Sequence, residues 1–287
     1  MKFLKLILKV TIGIFALVGL AFTFVFFGMR QGVLNVQGGI IERNASFGTV
    51  PTTTKAIIDT TNGCRANLDQ TKPCDWNETA QWDVVKGGLI KDAAIINKVA
   101  TETGVDPRMI AAAVIPEQIR FFSDNREVFK RYFEPLKILA SLSQFSLGVS
   151  GIKQTTAAKI EEYVSSSTSE FYPGTNFTAL VAYKAGEDND NALFLRLTNE
   201  KDHYYSYLYT ALYLKEITAQ WEKAGYNISQ RPDVLVTLFN LGFAASVPKA
   251  DPKVAGAAIT VGGQRYSFGY LGTLFFESDE LLTEFSK

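Results

Sequence analysis

The residue in this 287-residue chain best placed to do chemistry is Glu117, in the run Ile110-Ala111-Ala112-Ala113-Val114-Ile115-Pro116-Glu117-Gln118-Ile119-Arg120. A carboxyl group at the end of an apolar helix is partly desolvated, and desolvation favours its protonated form, so it can hold a proton to give away. That is the chemistry of a general acid. The plainer reading is an ordinary acidic side chain paired with Arg120. A second segment, Ser146-Leu147-Gly148-Val149-Ser150-Gly151-Ile152-Lys153-Gln154-Thr155-Thr156-Ala157, is a loop of small residues running into a helix. Glycine lets a backbone come close to a ligand, and serine and glutamine carry neutral hydrogen-bonding groups suited to sugar hydroxyls and acetamido groups. Ser146, Gly148, Ser150, Gly151 and Gln154 are the candidate binding residues of this loop. A glycine-rich turn with no ligand is the alternative.

A glutamate ending an apolar helix, then a serine-glycine loop closing in Thr-Ala at a helix start, then a late Tyr-Asn-x-Gly-like motif: this order resembles the lytic transglycosylase and goose-type lysozyme superfamily. The third element is similar to Thr237-Leu238-Phe239-Asn240-Leu241-Gly242, preceded by Ala211-Leu212-Tyr213-Leu214. A rival match, Ala182-Tyr183-Lys184-Ala185-Gly186, comes before that helix, so the later one is preferred. The tail Gly262-Gly263-Gln264-Arg265-Tyr266-Ser267-Phe268-Gly269 resembles the closing segment of a less-studied branch of lysozyme-like proteins. The resemblance covers about residues 90–276.

The resemblance implies a mainly α, lysozyme-like α+β domain with at most a small β-hairpin. It implies that Glu117 cleaves peptidoglycan glycan strands, with Phe239, Asn240 and Tyr266 joining the loop residues in binding, and with no metal or other cofactor. Glycoside hydrolysis commonly uses two carboxylates, but one suffices where the sugar's 2-acetamido group is the internal nucleophile. Glu117 would then protonate the glycosidic oxygen and afterwards take a proton from the muramic 6-hydroxyl, giving a 1,6-anhydro product. A second acid, Asp124 or Glu127, would instead activate water and make a muramidase. Three departures stand out. Gln118 occupies the place where the family often has serine, and Phe239 the place of a tyrosine. The middle loop aligns in two registers, one placing Gln154 and the other Gly151 at the family's glutamine. They leave room for a protein that binds glycan, as a scaffold in a cell-envelope machine with protein partners, and cleaves little or none.

The elements that must position these residues are helical. Ile90, Ala93, Ala94, Ile95, Val99 and Ala100 fall on one stripe over residues 90–103. Asp106-Pro107 reads as a cap and first residue of the next helix, which Pro116 should end or kink, leaving Glu117 at a helix end or just past a bend. Further helices are expected over residues 125–142, 155–165, 203–224 and 232–241, and a hairpin over 258–261 and 265–268 around Gly262-Gly263. Tyr204, Tyr205, Tyr207, Tyr209 and Tyr213 read as core more readily than as a sugar groove.

Lys2, Lys5 and Lys9 precede an uncharged apolar run over residues 10–29, long enough to cross a bilayer as a helix. The lysines on its N-terminal side favour a cytoplasmic N-terminus and a body outside the cytoplasmic membrane. A cleaved signal peptide is the competing reading. The expected organisation is therefore a membrane anchor over 1–30, a loop-rich lead-in over 31–86, and a helical catalytic domain over 87–287. Cys64 and Cys74, the only cysteines, are expected to form a disulfide in that compartment, with two free thiols or a metal pair as alternatives. With 29 basic and 29 acidic residues there is no excess charge to neutralise a phosphate backbone, so nucleic acid is not an expected partner. His203 is the only histidine, and no Gly-x-Ser-x-Gly elbow or phosphate loop occurs, which argues against triad hydrolases and nucleotide enzymes.

Overall fold

A computed structural model describes residues 73–123, 146–174, 177–199 and 201–286, together with Gly13 and Cys64. Apart from Gly13, the apolar run 10–29 lies outside these residues, as does the helix expected over 125–142. No helix of the described residues is long and apolar enough to cross a membrane. The body is mainly helical, with eight α-helices and two two-stranded antiparallel sheets among the described residues.

Helix α1 (Ala80–Thr103) starts where Thr79 Oγ1 accepts from the Trp82 amide and stops at Gly104, whose φ of 68° lets the chain turn left-handed. The expected lead-in over 31–86 is therefore too long: its boundary falls inside α1, and Trp76, Trp82 and Val85 already sit in the core. Periodicity missed this start because polar Gln81 and Asp83 interrupt the stripe. The stripe is also rotated from the expected one. Leu89, Asp92, Ile96 and Val99 face inward, whereas Ile90 is 46% exposed and Ala94 is exposed. Asp92 is buried because Tyr207 and His203, more than a hundred residues away, supply its hydrogen bonds at 2.8 and 2.6 Å.

Helix α2 (Pro107–Ser123) begins as expected: Asp106 Oδ1 accepts from the Arg108 amide at 2.7 Å. It does not end at Pro116, so Glu117 lies within the helix instead of at its end. A helical proline leaves the carbonyl four residues back without its N–H. Here that carbonyl belongs to Ala112, and Gly272 passes over it so closely that a Cβ there would lie 2.7 Å from the oxygen.

Helices α3 (Gln154–Ser165), α4 (Thr178–Val181) and α5 (Asn189–Leu197) follow the glycine loop. Then comes α6 (Tyr204–Lys223), buried almost all round, as a central helix must be. Helices α1, α2, α3 and α7 (Pro232–Leu241) pack on it. The loop itself holds strands β1 (Ser146–Leu147) and β2 (Ile152–Lys153), an element the sequence reading did not include. Strands β3 (Ala258–Val261) and β4 (Gln264–Ser267) form the expected hairpin, with φ of 59° and 76° at Gly262 and Gly263, as a two-residue turn of the primed type requires. Cys64 and Cys74 are joined by a disulfide, and the Cys74 amide donates to the Gly262 carbonyl at 2.8 Å. The lead-in is thereby fastened to the hairpin.

Helix α8 (Phe268–Glu277) packs on α7 and α2, and the residues after it wrap around Arg108. That guanidinium is fully buried and donates to the carbonyls of Phe275, Phe276, Ser278, Glu280 and Phe285. These carbonyls belong to a helix end and the turn after it, where intrahelical partners run out, although that of Phe275 also accepts from the Ser278 amide at 3.1 Å. Nothing in the local sequence marks Arg108 for this role.

Candidate active site

Glu117 is held by α2 so that it meets the glycine loop. Gly151, with φ of 65°, lies so close that a Cβ there would be 2.4 Å from Glu117 Cγ and Oε1. Only glycine meets both demands, the left-handed backbone and the missing side chain. One turn further along the helix, Arg120 donates from Nη2 to Glu117 Oε1 at 2.7 Å, with 18% and 12% of the two side chains exposed. The plain ion pair considered from the sequence is thus present, and it sits inside a groove.

The groove has a volume of about 280 Å³ and opens beside Glu117 and Arg120. One wall is the loop from Ser150 to Lys153 with Thr156 of α3. The other is the end of α7, from Phe239 to Gly242, backed by Tyr213 and Phe268. The aromatic wall is rigid: the Phe239 ring meets Tyr213 edge-on at 5.4 Å, and the Tyr213 hydroxyl donates to the Leu238 carbonyl at 2.9 Å. Asn240 Oδ1 accepts from the Ala257 amide at 2.8 Å, fixing the strand that closes the groove.

Behind the groove, Gln118 ties helix to loop by donating from Nε2 to the Val149 carbonyl. Its other atom, Oε1, is buried with no hydrogen-bond partner among the described residues, and so is Ser150 Oγ. Ser150 is 1% exposed and lines the groove. Buried polar atoms without partners cost on the order of 1–3 kcal/mol each, and of those among the described residues Ser150 Oγ belongs to a residue that lines the groove.

Of the candidate residues, Glu117, Ser150, Gly151, Phe239 and Asn240 line this one groove. Four others do not, and they correct the sequence reading. Gly148 instead seats the loop on its scaffold, since a Cβ there would be 2.2 Å from the Leu197 carbonyl and 2.6 Å from Ser206 Oγ. Gln154 donates from Nε2 to the Asp190 carbonyl at 2.9 Å, joining α3 to the start of α5. Tyr266 is 8% exposed and stacks on Tyr270 within the hairpin region. Ser146 pairs through its backbone with Lys153. Asp124 and Glu127 lie outside the described residues.

The rival motif at Tyr183 belongs elsewhere. Its hydroxyl donates to Glu161 Oε1 and Oε2 at 2.7 and 2.8 Å, Tyr209 donates to the same carboxylate, and the Arg196 guanidinium lies 4.0 Å from the Tyr183 ring centroid. Burial, then the Glu161 carboxylate, pushes both phenols up, so they remain donors at all physiological pH. His203 is buried beside Asp92 and lines no part of the groove. Sequence reasoning missed Lys153, Phe268 and the groove role of Tyr213. For Lys153 a signal existed: it directly precedes a helix whose first turn holds no acid.

No family model, curated protein or solved structure matches this chain.

Proposed function

We propose that the chain is a membrane-anchored lytic transglycosylase that cleaves peptidoglycan glycan strands with Glu117 as its single catalytic acid. The observation that carries this reading is the contact between the Glu117 carboxyl group and the side-chain-free backbone of Gly151, at the floor of a groove with an aromatic wall. Such a groove gives a sugar ring an apolar face to lie on and keeps bulk water from the acid. Glu117 gives its proton to the glycosidic oxygen as the C1–O bond breaks, while the carbonyl oxygen of the 2-acetamido group bonds to C1. The carboxylate then takes the proton of the 6-hydroxyl, whose oxygen displaces the acetamido oxygen and closes the 1,6-anhydro ring. Arg120, at 2.7 Å, compensates the charge that Glu117 carries between these two steps. The apolar run over residues 10–29 holds this body on the outer side of the cytoplasmic membrane.

Digestion of purified peptidoglycan by the full-length protein in detergent, beside Glu117→Gln, tests the reading with muropeptides resolved by mass. Anhydro-muropeptides that fall at least about 100-fold in the variant are expected, the usual size of a general-acid contribution. Reducing-end products would make the protein a muramidase. A second reading, a glycan-binding scaffold, is favoured by the Glu117–Arg120 pair and by Gln118, whose side chain is committed to Val149. It predicts retention on peptidoglycan with no products from either protein.

A further inference from the structure

The charge and backbone polarity of the groove say more about its ligand than the acid does. Three charged residues line it: Glu117, Arg120 and Lys153. Glu117 and Arg120 pair with each other, and Lys153 has no ion-pair partner among the described residues. Lys153 therefore adds a positive charge to the groove lining. Lys153 is also the residue at which α3 begins, and it caps that helix with no side-chain hydrogen bond. The first turn of this twelve-residue helix holds no acidic residue either. Lys153 and Thr156, the cap and a first-turn residue of this helix, both line the groove, and the first turn supplies nothing anionic to offset its positive end. Beside them stands Ser150, 1% exposed, whose hydroxyl has no partner. A lysine, a helix N-terminus without a side-chain cap and an unpartnered hydroxyl along one wall are the elements of an anion site.

We propose that Lys153, the N-terminus of α3 and Ser150 form a carboxylate-binding subsite beside Glu117, which selects muramoyl strands whose lactyl carboxyl carries no peptide. The inference rests on the glycan-cleaving reading above and concerns the same groove. A neutral N-acetylglucosamine polymer offers no carboxylate, and a peptide-substituted muramoyl residue offers an uncharged amide at the lactyl position. The volume of about 280 Å³ lies just under the usual range for small-molecule sites of roughly 300–1,000 Å³, room for a sugar and its lactyl group. Lys153 is a specificity residue here, and Glu117 remains the acid.

The test compares binding of three ligands by the full-length protein and by Lys153→Met, which keeps the length of the side chain and removes its charge. The ligands are glycan strands stripped of peptides by an amidase, intact peptide-bearing strands, and chitin oligosaccharides. Wild type is expected to bind stripped strands about tenfold more tightly than either of the others, the value of one charge-assisted contact, with the preference fading as salt is raised. Lys153→Met should lose the preference for stripped strands, with the melting temperature unchanged. Equal binding of stripped strands and chitin by wild type would overturn the subsite while leaving glycan cleavage standing. Preference for peptide-bearing strands would overturn the lactyl assignment, whether or not Lys153→Met removes it. Failure to bind any of the three would overturn both this inference and the function on which it rests.

Discussion

At its first turn, α2 buries Arg108 among the carbonyls of five residues, and these bonds hold the C-terminal tail in place. Nine residues later, about 13 Å along the same helix at 1.5 Å per residue, Glu117 and Gln118 face a loop in which Gln118 Oε1 and Ser150 Oγ have no partner. The two regions bury similar chemistry in opposite ways. Around Arg108 every acceptor is matched, and the fit even holds Leu281 at a φ of 55°, a left-handed conformation that leucine otherwise avoids. Around Glu117 polar capacity is left over. A saturated polar cluster serves the fold, whereas the hydroxyl of Ser150, unpartnered in a residue of the groove lining, is left for a ligand.

The comparison breaks first at Arg108. Arg108→Met keeps apolar volume but strands the tail carbonyls, and is expected to cost about 3–5 kcal/mol, read as a large fall in melting temperature. Cleavage per folded molecule should stay unchanged. A comparable loss from Gln118→Met would show that the two ends of α2 are not different in kind. Gly151→Ala comes next. Its Cβ collides with Glu117 and its backbone must stay left-handed, so cleavage should drop about 100-fold, as small misplacements of a catalytic group do, with a stability cost of about 1–2 kcal/mol. Wild-type rates in this variant would remove Glu117 from the chemistry.

A third unsatisfied group, away from the groove, sharpens the contrast. Glu216 is fully buried in α6, neither carboxylate oxygen has a partner, and desolvation pushes its pKa well above 4.5, while its charge bears on Tyr213 and Tyr163. Because the folded state holds this proton after the unfolded chain has lost it, stability falls as pH rises above about 4.5, until the folded-state pKa is passed. The slope reaches at most about 1.4 kcal/mol per pH unit for one proton. Glu216→Gln should flatten that part of the stability profile, and an unchanged profile would mean that Glu216 is ionised in the fold. The smallest effect belongs to Ser150→Ala. Removing a buried hydroxyl with no partner should change stability by under about 1 kcal/mol, in the favourable direction. Cleavage of stripped strands should still fall about tenfold, and a clear loss of stability instead would show that the hydroxyl is already satisfied.

How much of this was legible beforehand differs by element. The starts of α2 and α7 were readable from Asp106-Pro107 and Pro232, because a cap and a first-turn proline act within a few residues. The hairpin was readable from Gly262-Gly263 for the same reason. Glu117 and the Ser150-Gly151 loop were readable as separate pieces of site chemistry. Pro116 was expected to end or kink α2, and the helix instead runs on through it to Ser123, a continuation that local rules do not signal. Gly148 and Gln154 also misled: they look like ligand groups in the sequence, yet they brace the loop against α5 and α6.

The amino-acid sequence alone determined what short-range rules control: where most helices begin, which turn closes the hairpin, which residue types have acid and binding chemistry, and the apolar run at the N-terminus. Tertiary structure decided what depends on long-range neighbours. It set the buried face of α1 through Asp92 and His203, matched Arg108 to the tail carbonyls, and brought Glu117, Gly151, Lys153 and Asn240 around one groove. The reason is that capping and turn energies are settled within one or two turns of chain. Satisfying a buried charge requires partners that only the packed molecule brings together.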